Sequence, residues 1–447
     1  MSLISEDSPV IAVPELDIFA KAPVQTSIEG IISEQIRPLA QLNTGGHIEF
    51  VIHNAHNEYV RLNETTLYLK FRVRLARTDS VPVSSSDWSK VSVVNNLLHS
   101  LWSQIDLCIG DSQTTSALQT YPYRAYFDTV LGSTEQSRKT HLQASLFVAD
   151  DLSSTLKDFP QTNKQTYINH RTTDGDLTTG RLCELEGKLH LDLFMQHRTL
   201  IGGTKIKIKL VPNRPEFYFM SSERKLIPRI EFQDIHLNII KSKVSEDVSL
   251  GQLHALNISP AKYILNRSEV RSFTIDRGAT NRSIENVING QLPRRVYLAF
   301  TSNEAYGGSF EKNPYFFHHY HINSLACFMN GEQYPRKAFT PDFDNDIYTR
   351  EFIELYRVSG QLDNDSRMMI DKPGFKNGYS IFAFNLSQDS SQGYPQAGYV
   401  NVTRDGVLRF EIHFSQPLDT NINAIVYCEF DNQLNIGEDR NAYMDYR

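Results

Sequence analysis

Side chains that could bind a metal ion occur in two clusters in the last third of the sequence. In the first, strand alternation would place His319 and His321 on one face beside His318. Two imidazoles on one face can bind zinc or copper. No third ligand stands at a suitable spacing, so histidines on a wet sheet face or at a subunit interface are the favoured interpretation.

The second cluster consists of Asp342, Asp344 and Asp346, which alternate in the same way and raise the possibility of a calcium site. Pro341 and Asn345 instead indicate a loop that enters a helix, where acidic residues favour the helix N-terminus. The sequence therefore predicts no metal site and no cofactor.

Motifs of common enzyme classes are missing. The sequence has no GxSxG, HExxH, GxxxxGK[S/T] or GxGxxG pattern and no calcium loop of the EF-hand type. Gly202-Gly203 precedes a strand rather than a helix, so it lacks the helix end that binds phosphate. A glycosidase needs only two well-placed carboxylates, which sequence spacing on strands cannot locate. We predict no catalytic residues and no enzymatic activity.

Two tryptophans could serve as sugar-stacking platforms. Trp102 lies in an apolar run and is predicted to be a core residue, whereas Trp88 lies in the polar loop 84–90 and has the stronger claim to a partner.

Composition narrows the class of protein. The 447 residues include 45 basic and 52 acidic side chains, a net charge of −7, which disfavours a protein that coats nucleic acid. No apolar run is long enough to cross a membrane and no secretory signal is present. The cysteines are predicted to be buried free thiols of a protein made in the cytoplasm. They are Cys108, Cys183, Cys327 and Cys428.

Period-two alternation of apolar and polar residues dominates the chain. This pattern predicts strands with one dry and one wet face, which is typical of antiparallel sheets. The clearest runs are 67–75, 189–193, 206–210 and 410–414. The fold is therefore predicted to be mainly β.

Helical patterns are few. One covers 123–131, with Gly132 as a left-handed C-cap, and another covers 345–358, with Gly360 just beyond. A third short helix is predicted from Ser27 to Ile36, within an otherwise pattern-free, proline-containing segment.

The sequence contains an internal duplication. Residues 105–113 and 325–333 share an apolar strand, a cysteine, a glycine turn, an acidic residue and a glutamine. A Tyr-Pro pair and an aromatic helix follow in each case, with Tyr121 and Tyr334 as the tyrosines. A repeat at about half the chain length indicates two copies of one domain.

Domain boundaries follow from this repeat. The prediction is an N-terminal arm, two eight-stranded antiparallel jelly-roll sandwiches in tandem with a few short helices in their loops, and a C-terminal tail. The ranges are 1–40, 45–244, 256–430 and 437–447.

Several segments resemble the double jelly-roll major capsid proteins of the polinton (Maverick) and adintovirus group. The resemblance covers roughly residues 25–436 and is carried by family-typical patterns rather than one invariant code. They are Ile48–Phe50 with Tyr59–Leu75, Asn95–Ile105, Tyr121–Tyr126, Asn330–Pro335 and Gly406–Asn435.

This resemblance implies a structural protein of the virion capsid. Three chains would form a homotrimeric, hexon-like capsomer with pseudo-sixfold outline, and capsomers would tile an icosahedral shell. Implied partners are neighbouring capsomers, a single jelly-roll vertex protein and minor capsid proteins, without sequence-specific nucleic-acid binding. Loops 150–176 and 361–378 would form outer towers, and the arm 1–40 would order on assembly. The assembly compartment, nucleus or cytoplasm, stays open.

The alternative is a cytosolic β-sandwich protein that binds or processes carbohydrate. Aromatic-rich sheets and abundant carboxylates favour it, whereas the duplicated domain disfavours it.

Overall fold

The structure is a computed structural model and describes residues 14–16, 18–19, 21–40, 46–115, 118–148, 164, 167–168, 176–362, 368, 370–390 and 398–445. The predicted tower loop 150–176 lies almost entirely outside these residues.

Strands make up most of the regular structure in both halves of the chain. Those of the first half are β1 (Ile28–Ile36), β2 (Ile48–Ile52), β3 (Glu58–Val60), β4 (Thr66–Arg77), β5 (Val91–Val93), β6 (Trp102–Ile109), β7 (Ser112–Gln113), β8 (Thr179–Lys188), β9 (Ile206–Pro212), β10 (Phe219–Ser221) and β11 (Leu226–Val244). Those of the second half are β12 (Ala261–Ile275), β13 (Asn281–Gln291), β14 (Arg295–Ser302), β15 (Ile322–Met329), β16 (Glu332–Phe339), β17 (Ile381–Asn385), β18 (Asp405–Phe414), β19 (Ile422–Ile436) and β20 (Ala442–Asp445).

The helices of the described residues are short and lie between the strands. They are α1 (Leu97–Ser100), α2 (Tyr121–Gly132), α3 (Glu135–Lys139), α4 (Pro215–Tyr218), α5 (Glu246–Ile258), α6 (Asn303–Gly307), α7 (Thr349–Ser359) and α8 (Lys372–Lys376). Short 3₁₀-helices occur at Pro14–Leu16, Leu62–Glu64, Ser85–Lys90, His141–Ser145 and Asp192–Phe194. Helix α5 joins the two halves.

Each half contains two four-stranded antiparallel paths with the same strand order, to which β3 adds in the first half and β20 in the second, and β5 and β10 form a separate two-stranded sheet in the first half. The order β1-β11-β4-β8 in the first half matches β12-β19-β14-β17 in the second, and β2-β9-β6-β7 matches β13-β18-β15-β16. In each half the last long strand lies next to the first: β11 lies between β1 and β4, and β19 lies between β12 and β14. Two four-stranded sheets connected in this way form a jelly roll, so the mainly β prediction and the tandem jelly rolls are confirmed.

The predicted duplication is visible at one hairpin of each half. Strands β6 and β7 meet at Gly110, and β15 and β16 meet at Gly331, with φ of +63° and +88°. Glycine adopts these left-handed angles without a steric penalty. The Tyr-Pro pairs do not correspond, however, because Tyr121 begins α2 whereas Tyr334 lies inside β16.

Alternation predicted the buried faces correctly in the central strands. In β4 the residues at positions 67, 69, 71, 73 and 75 are all buried, and their neighbours are less so. Burying each such side chain contributes about 1.5–3 kcal/mol. The apolar side chains of both halves form one connected core.

Three local predictions are wrong. The helix predicted from Ser27 to Ile36 is instead strand β1, Ile28–Ile36, because this segment pairs with the edge of β11 from Ile28–Val244 to Ile36–Leu237. The isoleucine spacing of four residues fits one face of a helix and equally one face of a strand. Residues 189–193 form a loop and a 3₁₀ turn, although their leucines are buried. Gly132 is the last helical residue of α2, and Ser133 after it is extended.

Candidate functional site at the junction of the two jelly rolls

The two jelly rolls meet on one face of α2. The helix follows strand β7 and has a proline in its first turn, where the missing amide hydrogen is tolerated. Its apolar positions Tyr123, Tyr126, Phe127 and Val130 are spaced three and four residues apart and are all buried. The predicted helical face is confirmed, and it packs against residues of both halves of the chain.

Aromatic rings cross the junction in a continuous stack. The ring of Tyr126 lies parallel to that of Tyr315, with centroids 4.2 Å apart. Phe127 stacks on Phe317 at 5.4 Å and on Tyr427 at 5.3 Å. Such pairs contribute about 0.5–1.5 kcal/mol beyond their burial. Stacked rings also fix relative orientation, so they hold the two sandwiches at a defined angle.

A largely buried ionic network lies beside these rings. Arg124 Nη2 donates to Asp192 Oδ1 at 2.6 Å. Asp128 Oδ2 lies 3.2 Å from Nδ1 of His190, and Oδ1 of the same carboxylate accepts a hydrogen bond from the hydroxyl of Tyr427 at 2.5 Å. Because Tyr427 belongs to β19, this last contact carries the network into the second jelly roll.

The network continues into strand β12. The backbone amide of Ser268 donates to Asp192 Oδ1 at 3.1 Å, and its hydroxyl lies 2.9 Å from the Tyr427 hydroxyl. The Asp192 carboxylate therefore receives donors from both jelly rolls. Removing one partner of such a buried group is costly because the other is left unsatisfied.

Burial and charge shift the pKa values of this network. Burial by itself would raise the pKa of Asp128, but the His190 hydrogen bond and the Arg124 charge outweigh it and lower that pKa. The pKa of His99 falls well below its usual value because of burial and the neighbouring His190. The rings of His99 and His190 meet edge to face at 4.6 Å. His99 is therefore neutral, and its Nδ1 lies 3.0 Å from the Tyr121 hydroxyl.

The C-terminal strap, residues 437–445, also joins the two halves. Its strand β20 pairs with the end of β19, and Asn441 Oδ1 accepts a hydrogen bond from the amide of Asp111 at 2.9 Å. A Cβ at Gly110 would stand 2.2 Å from that Oδ1 atom. Met444 lies in a gap bordered by Leu107 of the first jelly roll and by residues of the second.

The histidines weighed as metal ligands, His318, His319 and His321, do not lie on a strand. They form a turn before β15, in which His319 Nδ1 accepts a hydrogen bond from the amide of His321 at 3.0 Å. The ring of His319 stacks on Phe343 at 4.2 Å, and His321 Nδ1 lies 3.1 Å from Asp344. His318 packs against the Phe316 ring at 4.3 Å. The prediction that His319 and His321 share one face of a strand is therefore wrong.

The three alternating aspartates have separate partners. Asp342 accepts from the backbone and side chain of Asn345, Asp344 faces His321, and Asp346 lies 2.6 Å from Nζ of Lys376. They lie in the turn before α7, as the sequence suggested. Within the described ranges no group of three or more His, Cys, Asp or Glu side chains is arranged to hold a metal ion.

Other singled-out residues have structural roles. Trp102 is buried as predicted, but Trp88 is 2% exposed, not a surface residue, and its Nε1 donates to the Leu177 carbonyl at 2.9 Å. The Gly202–Gly203 pair lies in the loop before β9, where a Cβ on Gly202 would stand 2.2 Å from a backbone oxygen.

All four cysteines are free. Burial raises the pKa of each described thiol for which a shift is resolved, which keeps it protonated near neutral pH.

The ionic network at the junction was not predicted from the sequence. Arg124 and Asp128 occupy adjacent turns on the buried side of an otherwise apolar helix, four residues apart. Charged side chains on the buried side of a helix indicate that ion-pair partners lie nearby in the fold. Sequence spacing could not identify the partners, because they are far away along the chain. Asp192 is 68 residues from Arg124, and His190 and Tyr427 are 62 and 299 residues from Asp128.

Comparison with known proteins gives a consistent picture of the fold. No family model matches the chain. The uncharacterized Caenorhabditis elegans protein F54H12.2 is 25% identical over 411 residues, which are 90% of this chain and 93% of the nematode protein.

Solved structures of viral proteins share the architecture over nearly their whole length. A chain of the Sputnik virophage, solved by cryo-electron microscopy, matches all of this chain and 94% of its own, with a TM-score of 0.61 and 12% identity. The mavirus major capsid protein matches all of this chain and 97% of its own, at 0.54 and 11%. The Faustovirus major capsid protein matches 93% and 92%, at 0.57 and 8%. At these identities the likeness establishes the double jelly-roll fold.

Among the described residues no helix combines the length and apolar character needed to span a bilayer.

Proposed function

We propose that this chain is a structural, non-enzymatic major capsid protein whose homotrimers form hexon-like capsomers of an icosahedral virion shell. The observation that carries the proposal is the junction: two jelly rolls of identical strand order are held at a fixed angle by buried rings and ion pairs. The fold is that of two major capsid proteins matched over nearly their whole length.

The geometry suits a hexagonal lattice. One chain contributes two similar wedges, so three chains contribute six while retaining closed threefold symmetry. A rigid junction is necessary for this use because a variable angle between the wedges would spoil the lattice. The proposed domain division is the arm 1–40, the jelly rolls 45–244 and 256–430 and the tail 437–447, with β1 of the arm region paired to β11 of the first jelly roll.

The polinton (Maverick) and adintovirus group is the proposed source. In support, the relative that matches 90% of this chain is a protein of an animal, the nematode Caenorhabditis elegans. A single jelly-roll vertex protein and minor capsid proteins are the proposed partners. The net charge of −7 suits a shell protein that does not condense the genome itself.

Size-exclusion chromatography with light scattering tests the proposal. A trimer has three times the chain mass of 51.1 kDa, and negative-stain images should show particles with a six-lobed outline. A monomer with no higher assembly at micromolar concentration would contradict the capsomer and favour the carbohydrate-binding alternative. A trimer that lacks six lobes would contradict the wedge geometry.

A further inference from the structure

A cavity of about 340 Å³ opens at one end of the second jelly roll. Its walls come from the loop between β14 and β15, residues 303–321, and from the loop between β18 and β19, residues 415–421. Ligand pockets in proteins span roughly 300–1,000 Å³. The cavity therefore has room for one small ligand and lies outside the junction already described.

The histidine turn shapes one wall of this cavity. Tyr320 and His321 are consecutive non-glycine residues in left-handed backbone conformation, with φ of +44° and +51°. Such conformations are uncommon for these residue types and concentrate at binding sites. The turn places the rings of His318 and Tyr320 side by side, with centroids 5.2 Å apart, and both line the cavity half-buried.

The charges around the cavity leave one acidic group without an ion-pair partner. Lys312 Nζ lies 3.0 Å from Glu304, and His321 lies 3.1 Å from Asp344, so these charges are compensated. Asp419 lines the cavity and has no ion-pair partner in the part of the chain that the structure describes. An anionic ligand would meet this carboxylate, whereas a ligand rich in hydroxyl groups could donate to it.

Hydrogen-bonding groups surround the same space. Thr301, Ser302 and Thr420 contribute hydroxyl groups, and Gln416 contributes an amide. Donors and acceptors on several sides, one carboxylate and an aromatic wall suit a ligand with an apolar ring face and hydroxyls on its edge.

We propose that this cavity binds one neutral sugar unit. Asp419 accepts hydrogen bonds from its hydroxyl groups, and the Tyr320 ring covers one face of the sugar. Binding uses residues of a single chain, so it does not depend on trimer formation or on the capsid role.

Ligand-observed saturation-transfer NMR on the full chain tests the proposal, followed by calorimetric titration. The probes are the methyl glycosides of galactose, glucose, mannose and N-acetylglucosamine, with N-acetylneuraminic acid and inorganic phosphate as anionic probes. At least one neutral glycoside should bind saturably. Asp419→Ala and Tyr320→Ala should each raise its Kd at least tenfold, whereas the matched control Asp111→Ala, in a turn of the first jelly roll, should leave the Kd unchanged.

Thermal melting of each variant verifies folding, and the two cavity variants act independently, so one folded variant suffices. The proposal is overturned if no neutral glycoside binds the wild-type chain. Binding of the anionic probes alone would also overturn it, because the charge argument would then be wrong. Equal affinity in wild type and in a folded cavity variant would overturn the assignment of the site.

Discussion

Replacing Phe127 by alanine tests whether the aromatic junction couples the two jelly rolls. The side chain is fully buried and stacks on both Phe317 and Tyr427, which belong to the second half. Truncating a buried phenylalanine to alanine costs about 3–5 kcal/mol. For a unit of this size that corresponds to a fall in Tm on the order of 10 °C. Phe19→Ala is the matched control, because that ring is 91% exposed and its loss should change stability by less than about 0.5 kcal/mol.

The two tryptophans make the coupling measurable. Trp88 and Trp102 are the only tryptophans of the chain and both lie in the first jelly roll, so their fluorescence reports on that half alone. Far-UV circular dichroism reports on both halves. In guanidinium chloride the two signals should change together for the wild type and separate for Phe127→Ala. Phe127→Leu should cost less than about 1.5 kcal/mol and keep the transitions together. A loss below 1 kcal/mol in Phe127→Ala, or transitions that stay coincident, would refute the reasoning.

Three further predictions concern the strap, the hairpin glycine and the buried histidine. Deleting residues 437–447 removes β20 and Met444 from the junction, so the Tm should fall by several degrees in a fluorimetric melt, and an unchanged Tm would contradict the role of the strap. Gly110→Ala should destabilise by about 1 kcal/mol or more, because φ is positive and the new Cβ would clash with Asn441. Gly251→Ala, on helix α5 with open space around it, should instead leave stability equal or higher by up to about 1 kcal/mol, and the reverse order in urea titrations would rule this explanation out. Because the folded pKa of His99 is depressed, the unfolded chain takes up a proton below about pH 6.5 and the folded one does not. Stability present at pH 7 should thus decline by up to about 1.4 kcal/mol per pH unit toward pH 5.5, a slope that His99→Gln should flatten. The pKa of Asp128 is lowered by the His190 hydrogen bond and the Arg124 charge, so Asp128 stays ionised and does not contribute in that window.

Local pattern was enough to predict the strands that form the centres of the sheets. The alternation around Phe71 gave both the strand and its buried face, and the repeat at Cys108 and Cys327 identified equivalent strands of the two jelly rolls. These succeeded because strand periodicity is a property of a few consecutive residues. Ile28–Ile36 failed for the same reason: its spacing fits two structures, and only the open edge of β11 selects the strand.

The contacts at the junction could not be predicted from sequence patterns. The helical face of α2 was predicted, but nothing in that segment specifies Tyr315 or Tyr427 as its partner, because packing partners are chosen by the tertiary fold. Trp88 was misjudged because a polar neighbourhood in sequence did not exclude burial beneath the segment at Leu177. The histidine turn was misplaced because left-handed angles at Tyr320 and His321 interrupt the alternation on which the strand interpretation depended.

The position of β19 has a consequence for biosynthesis. This strand lies between β12 and β14, and it also carries Tyr427 into the junction and supports β20. The first jelly roll can complete its sheets once Val244 has left the ribosome, because domains generally fold as units from the N-terminus. In the second jelly roll, the sheet of β12, β19, β14 and β17 lacks its inner strand β19 until residues 422–436 have been synthesised. The angle between the two jelly rolls is therefore fixed only near the end of synthesis. Incomplete chains on the same polysome cannot yet associate in the way that finished subunits do.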